Sequence, residues 1–262
     1  MNQRQITVGT DGHSLPIGDI PRVIGTLSTV PSKLPAAASD IASDIVECRM
    51  DLMPAGSEWL ACCRAIEALG IPVILTIRHQ SEGGKWTRPE SERLELFKQG
   101  LSHVSLADVE LSSEIAPQVS EAARQAGKAC IVSFHDFEKT PSLDELRSIV
   151  SKARKLASIV KVSTMAETEQ DIEMLRTLLV ENSGGPLCVI AMGPLGTQTR
   201  VSFPTLGSCI TYGYLDQPAA PGQLSAAELV RQLRKLLPKY EEDHLRCKGI
   251  GQRAASEVAQ LS

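Results

Sequence analysis

Ser158-Ile159-Val160-Lys161-Val162-Ser163-Thr164-Met165-Ala166 is a short apolar run with a lysine set inside it. A buried strand rarely carries an ammonium, because desolvating an unpaired charge is costly and favours the neutral form. Two readings follow from this stretch alone: a strand-end lysine that snorkels to water, or one kept partly neutral for chemistry. The preceding apolar run, Val132-Ser133-Phe134-His135, ends on a histidine. A lysine and a histidine at the ends of consecutive strands of one sheet would share a site, which favours the second reading.

Similar runs recur on both sides. Strands are expected at 21–27, 44–52, 72–78, 104–111, 129–134, 158–166, 186–192 and 209–213. Helices are expected at 57–69, 90–101, 114–127, 142–157, 168–182, about 197–201, and 225–237, with a weak Ala-rich one at 32–43. Ser57 reads as a helix cap and Gly70 as a stop, and Ser142 with Glu145 has capping-box spacing. Strands that alternate with helices pair in parallel through crossover connections. Eight such units predict an α/β fold of the (β/α)8 TIM barrel type, a single domain with its chemistry at the C-terminal strand ends. An open doubly wound sheet is the runner-up, but the first strand–helix turn has no G-x-G-x-x-G. Residues 1–20 read as a loosely packed N-terminal arm, 21–240 as the barrel, and 241–262 as a polar tail.

The chain has 262 residues, 42% of them apolar, enough for a substantial core. Its net charge is −4 with no basic face, which argues against nucleic acid. No run of 18 apolar residues argues for a membrane span, and residues 1–7 lack the apolar stretch of a secretory leader. Seven cysteines, an odd number without a Cys-x-x-Cys pair, fit a reducing cytoplasm with neither a disulfide framework nor a zinc site.

Polar residues gather where the predicted strands end. Glu47, Arg49 and Asp51 alternate along the second strand and project to one face. Arg78 and then Glu82 follow the third, Asp108 and Glu110 lie on the fourth, and His135 and Asp136 end the fifth. Lys161 is on the sixth and Arg200 follows the seventh. A ring of both signs with one lysine and one histidine suits a small polar anion, and it has neither metal-ligand spacing nor a Gly-rich phosphate cradle. Such a pair suggests Schiff-base chemistry: the amine attacks a ketone, the iminium acidifies the adjacent C–H, and the histidine moves protons. Arg49 and Arg78 are expected to bear on Lys161 by like-charge repulsion.

These residues fall into motifs. They are Asp44-x-x-Glu47-x-Arg49-x-Asp51, Thr76-x-Arg78-x-x-x-Glu82-Gly83-Gly84 and Ser133-x-His135-Asp136-Phe137-x-x-Thr140-Pro141. Then come Lys161-x-Ser163-x-Met165, Met192-Gly193-x-x-Gly196-x-x-Thr199-Arg200 and Ala220-Pro221-Gly222-Gln223. In this order they resemble type I 3-dehydroquinate dehydratase, the Schiff-base dehydratase of the shikimate pathway. The resemblance implies that Lys161 forms the imine, His135 is the general acid/base, and Glu82 orients that histidine. It implies that Arg200 clamps the substrate carboxylate, that Glu47, Arg49 and Arg78 hold substrate hydroxyls, and that Gln223 belongs to a closing loop. Met192 and Phe203 are expected to line the pocket. The implied activity needs no cofactor and no metal; its partner is a small-molecule substrate, and a homodimer is the common assembly.

The chain departs from the family pattern in three places: Ser163 for the usual Ala, Thr199 for Ser, and Ala219 for a serine that touches substrate. The last is expected to weaken KM without abolishing turnover, through loss of a hydrogen bond worth ~1.5–3 kcal/mol. Some members are fused to a shikimate dehydrogenase; 241–262 is expected as a disordered end rather than a linker to one. Asp51, Asp108 and Glu110 read as structural partners of arginines, and His13, His103 and His244 as surface residues. His79 has no assigned role, and Trp86 is expected to pack under the Gly83-Gly84 loop. A Schiff-base aldolase would need a phosphate-binding backbone near the last strands, which is not found. A non-catalytic binding protein has only Ala219 in its favour.

Overall fold

The computed structural model describes residues 5–248 except 11, 12, 183 and 219–221. Its centre is a sheet most of whose strands carry an inward apolar residue followed by an inward polar one. These strands are β3 (Arg22–Leu27), β4 (Ile45–Arg49), β5 (Val73–Thr76), β6 (Leu106–Glu110), β7 (Ala129–Asp136), β8 (Ile159–Met165), β9 (Leu187–Met192) and β10 (Ile210–Tyr214). They pair in parallel in the order β10-β3-β4-β5-β6-β7-β8-β9. At the seam the Cys209 amide donates to the Leu187 carbonyl at 2.9 Å, and the Arg22 amide to the Cys209 carbonyl at 3.0 Å. The fold is the expected (β/α)8 barrel.

Period-two alternation sorts the side chains. Val46, Leu75, Val109, Val132, Val160 and Val189 face outward and bury against the helices. Ile24, Ile45, Ile74, Leu106, Ile131, Ile159, Cys188 and Ile210 face inward as an apolar floor. One inward position further along stand Thr26, Glu47, Thr76, Asp108, Ser133 and Lys161, all buried. The floor excludes water beneath them, and truncating one of its isoleucines to alanine would cost about 2–5 kcal/mol.

The helices are α1 (Trp59–Glu67), α2 (Glu90–Leu101), α3 (Ala116–Gln125), α4 (Leu143–Ala153), α5 (Glu169–Glu181), α6 (Thr199–Thr205), α7 (Ala226–Leu236) and α8 (Pro238–Cys247). Ser142 and Glu145 cap α4 reciprocally, as their spacing predicts. Ser57 does not cap α1, which begins after Glu58 without a side-chain cap. The expected helix at 32–43 reduces to one 3-10 turn, Ala38–Asp40. Pro31 and Pro35 remove amide donors there, which outweighs the alanines' helix propensity. The second strand stops at Arg49, so Asp51 sits in the 3-10 turn Met50–Leu52 rather than on a strand face.

Two further segments differ from their sequence reading. Residues expected as a loose arm form an antiparallel hairpin, β1 (Ile6–Thr10) with β2 (His13–Ile17). Its Val8, Leu15 and Ile17 pack on the apolar floor and close the bottom of the barrel. The alternation that drives this is only two apolar residues per strand, and Gly and Pro among them mask it.

The expected polar tail begins as α8, with Pro238 at its start. Asp44 accepts from the Tyr240 hydroxyl (2.9 Å), His244 Nδ1 (2.6 Å) and the Val23 amide (2.8 Å). Burial alone would raise the Asp44 carboxyl, but the bonds from His244 and Val23 hold it below its usual value. His244 is therefore a buried partner, not the surface residue expected. Lys248 donates to the carbonyls of Ala38, Ile41 and Ser43, and burial pushes its ammonium down to about 8. A helix that is anchored by a few buried polar side chains, Tyr240, Asp243 and His244, cannot be told from a solvated one by hydropathy. Residues 249–262, the rest of that expected tail, and Ala219 lie outside the described residues.

Among the described residues no helix is long and apolar enough to cross a membrane. All seven cysteines are free thiols, and all but Cys247 are buried.

Candidate active site

The inward polar positions open into one cavity at the C-terminal ends of the strands. Glu47, Arg49, Arg78, Glu82, His135 and Lys161 line it, together with Met192, Arg200 and Gln223. Every residue given a site role by the sequence is thus in one place, except Phe203. Phe203 is on α6 and points into the outer core, because α6 turns its apolar side to the barrel wall. A wider crevice between α7, α8 and the Ser39–Ala42 segment lies away from the strand ends and holds none of these groups.

Lys161 is buried on β8, in register with Ser133 on β7. Its Nζ lies 3.2 Å from Asp108 Oδ2 and 4.2 Å from the centre of the Tyr212 ring. Asp108 Oδ1 also accepts from Arg78 (2.8 Å) and from the Ser133 hydroxyl (2.6 Å). Burial would raise the Asp108 carboxyl, yet Arg78 and Lys161 hold it well below the usual carboxylate range. Arg78 also meets Glu110 at 3.1 Å, and these carboxylates overcome its burial and raise it. The expected repulsion of Lys161 by Arg49 and Arg78 changes accordingly. Arg78 is neutralised by two carboxylates, Arg49 by Asp51 at 2.8 Å, and the group next to the amine is an anion.

His135 stands two residues beyond the level of Lys161. Its Nδ1 is 2.9 Å from Glu82 Oε2, which also accepts from the His135 amide at 3.0 Å. Glu82 Oε1 accepts from the Ser112 hydroxyl at 2.5 Å. A carboxylate on Nδ1 places the ring proton there and leaves the lone pair on Nε2. Burial, with Arg78 and Lys161 nearby, takes the imidazole well below its usual value, so the free site holds it neutral at pH 7. Burial raises Glu82.

A tight loop aims that carboxylate. Glu82 ends the 3-10 turn Gln80–Glu82, and Gly83 follows in a left-handed conformation (φ 77°). A Cβ on Gly84 would lie 2.0 Å from the Arg78 carbonyl, so only glycine lets the loop fold back there. Trp86 is buried and its amide donates to the same carbonyl, as its expected packing under the loop requires. His79 caps the turn through Ser81, a structural task.

Glu47 accepts from Thr76 and Thr26, both at 2.8 Å, which fixes its orientation and leaves lone pairs toward the cavity. Arg200 is 3% exposed and donates to the carbonyls of Gly222 and Tyr212, each at 3.1 Å. Among the described residues it has no carboxylate partner, and burial lowers it to about 10. A buried guanidinium with spare donors, still charged at pH 7, is an anion site. Among the described residues no group of three or more His, Cys, Asp or Glu could hold a metal ion.

Sequence reasoning missed Ser112, Tyr212 and the place of Asp108 beside Lys161. Asp108 could have been found, since it shares its inward parity with the strand's floor residue Leu106. Ser112 reaches Glu82 from a neighbouring loop and leaves no sequence signal.

Comparison with known proteins bears on the family and the fold. The family model for type I 3-dehydroquinase matches residues 21–238. A 3-dehydroquinate dehydratase of Methanocella arvoryzae is 33% identical over 217 residues, covering 82% of this chain and 97% of that protein. One from Methanosarcina barkeri is 38% identical over 213 residues, covering 76% of this chain and 88% of that protein. Among solved structures, the 3-dehydroquinate dehydratase of Geobacillus kaustophilus superposes with a TM-score of 0.76 at 25% identity, over 92% of this chain and 99% of that one. The Aquifex aeolicus dehydratase gives 0.71 at 28% identity, over 82% and 98%. The chain belongs to the type I 3-dehydroquinase family.

Proposed function

We propose that the protein removes water from 3-dehydroquinate to give 3-dehydroshikimate, a hydro-lyase step of the shikimate pathway, through an imine on Lys161. The observation that carries this reading is one cavity holding a buried lysine, a neutral histidine oriented by a carboxylate, and an unpaired arginine. His135 takes a proton from Nζ, the amine adds to the substrate ketone, and with that proton returned the oxygen leaves as water and an iminium remains. The C–H beside the iminium carbon loses its proton to His135 Nε2 while the electron pair forms an enamine. The imidazolium then gives that proton to the departing hydroxyl, whose C–O bond breaks as the enamine pair moves back. Water releases the product from Nζ.

Each neighbour has a task in this scheme. Glu82 holds the tautomer and steadies the transient imidazolium. Asp108 holds Nζ against the barrel wall and balances its charge. Arg200 receives the substrate carboxylate, and Glu47, Arg49, Arg78 and Gln223 surround its hydroxyls. The apolar floor and Tyr212 keep bulk water from the imine.

An absorbance assay for the conjugated enone product tests the reading. Purified protein is expected to generate that absorbance from 3-dehydroquinate, and Lys161→Ala to generate none. A wild-type protein that leaves the substrate unchanged would overturn it.

A further inference from the structure

Most polar side chains of the cavity are already engaged: Glu47 by two threonines, Arg78 by two carboxylates, Glu82 by His135 and Ser112. Ser163 is not. It stands on β8 two residues beyond Lys161, so both side chains leave the same face of the strand. It is 4% exposed and lines the cavity. Among the described residues its hydroxyl has no hydrogen-bond partner. An unpaired hydroxyl in a buried wall is unfavourable, so one that faces a cavity is matched to a polar atom of what binds there.

Its register neighbours fix what it can reach. Ser163 is paired with His135 on one side and Ile190 on the other. Neighbouring strands are about 4.8 Å apart and two residues advance a strand by about 6.6 Å. The hydroxyl therefore stands beside the imidazole and above the Nζ level, where a carbon bonded to Nζ would sit. Ile190 and Met192 beyond it offer no hydrogen bond. An oxygen on that carbon has the Ser163 hydroxyl as its donor at this wall, joined by His135 only once Nε2 has taken up a proton.

We propose that Ser163 is a further catalytic residue: its hydroxyl holds the oxygen that leaves the Nζ-bonded carbon as the imine forms, and the water that returns there at hydrolysis. The proposal rests on the Schiff-base reading above. In the forward step His135 takes a proton from the Nζ ammonium and the amine adds to the ketone. The C–O bond of the carbinolamine then breaks as the nitrogen lone pair closes the C=N bond. The oxygen already carries the proton that nitrogen lost on addition; His135 returns the second, and the oxygen leaves as water. At hydrolysis a water oxygen bonds to the same carbon, the C=N pair returns to nitrogen, and the surplus proton passes to Nε2. Ser163 donates its O–H to that oxygen throughout and neither gains nor loses a proton.

Ser163→Ala in the full chain tests this. Saturating 3-dehydroshikimate is mixed with wild type or variant, quenched with borohydride at successive times, and the reduced Lys161 adduct is counted by mass. The variant is expected to approach its plateau about 3- to 10-fold more slowly, the loss of one hydrogen bond in the transition state, with an unchanged plateau. Its melting temperature is expected to match wild type, since alanine fits the space without leaving a buried donor. Equal rates of approach would overturn the role of Ser163, as would a plateau that falls in proportion to the rate, which reports lost binding. A wild type that gains no adduct on Lys161 would instead overturn the Schiff-base reading itself, so the two failures are distinguishable.

Discussion

Replacing Arg200 with methionine should move binding and stability in opposite directions. The guanidinium donates to two carbonyls, Gly222 and Tyr212, which leaves three of its five N–H donors for an incoming carboxylate. Its fall from the ordinary guanidinium value to about 10 means that the empty site disfavours the charged form by about 3 kcal/mol. The sign is that of a cation with a depressed folded value. The cost to the fold is fully present below about pH 10, where both states are charged, and is relieved as pH rises through that value.

Methionine removes this cost and forfeits two carbonyl hydrogen bonds of about 1 kcal/mol each. The net gain is roughly 1 kcal/mol, a melting temperature about 2–4 °C higher. For the substrate, a lost bidentate charge-assisted pair is worth about 3–5 kcal/mol, so kcat/KM should fall by on the order of 10²- to 10³-fold, chiefly through KM. Steady-state assays with 3-dehydroquinate and a thermal melt of the same preparation measure both. An unchanged KM would remove Arg200 from the carboxylate site. A melt many degrees lower would show that the guanidinium supports the fold rather than waiting for an anion.

Three further outcomes follow from the geometry. His135→Ala should form the Lys161 imine more slowly and lose about 10²- to 10⁴-fold in kcat, since both imine formation and elimination then lack their proton carrier; normal turnover would remove it as acid and base. The same histidine, held neutral by burial, should make the wild type lose stability as pH falls below about 6.5, the unfolded value, until the lower folded value is reached. Urea midpoints at pH 5 and 7 should therefore differ more for wild type than for His135→Ala, and equal differences would contradict the burial argument. Asp44→Ala strips Tyr240, His244 and the Val23 amide of their acceptor and should cost about 2–4 kcal/mol while leaving KM unchanged; a changed KM would tie this base to the site.

What the sequence made legible follows from its periods. Eight apolar runs and the helical segments between them predict the barrel, because a parallel strand buried on both faces is a continuous apolar word. The floor and the polar layer above it also lie within that pattern: Ile45-x-Glu47-x-Arg49 and Ile159-x-Lys161-x-Ser163 carry the change from apolar to polar at period two. The ring of strand-end charges is legible for the same reason. Pairing among those charges is not. Whether Arg78 faces Lys161 or Asp108 depends on side-chain reach across three strands, and Ser112 meets Glu82 only because two loops converge. The hairpin and α8 were hidden differently. Each is polar or glycine-rich in composition and is ordered by a few contacts, Val8 and Ile17 on the floor and His244 on Asp44, that local sequence does not announce.

The most direct measurement is reduction by borohydride in the presence of 3-dehydroquinate, followed by intact mass and peptide mapping. One ligand-derived adduct per chain, located on Lys161 and lost in Lys161→Ala, is the expected result. An adduct on any other lysine, or a protein that turns over substrate yet gains no mass, would contradict the placement of the reaction on that amine.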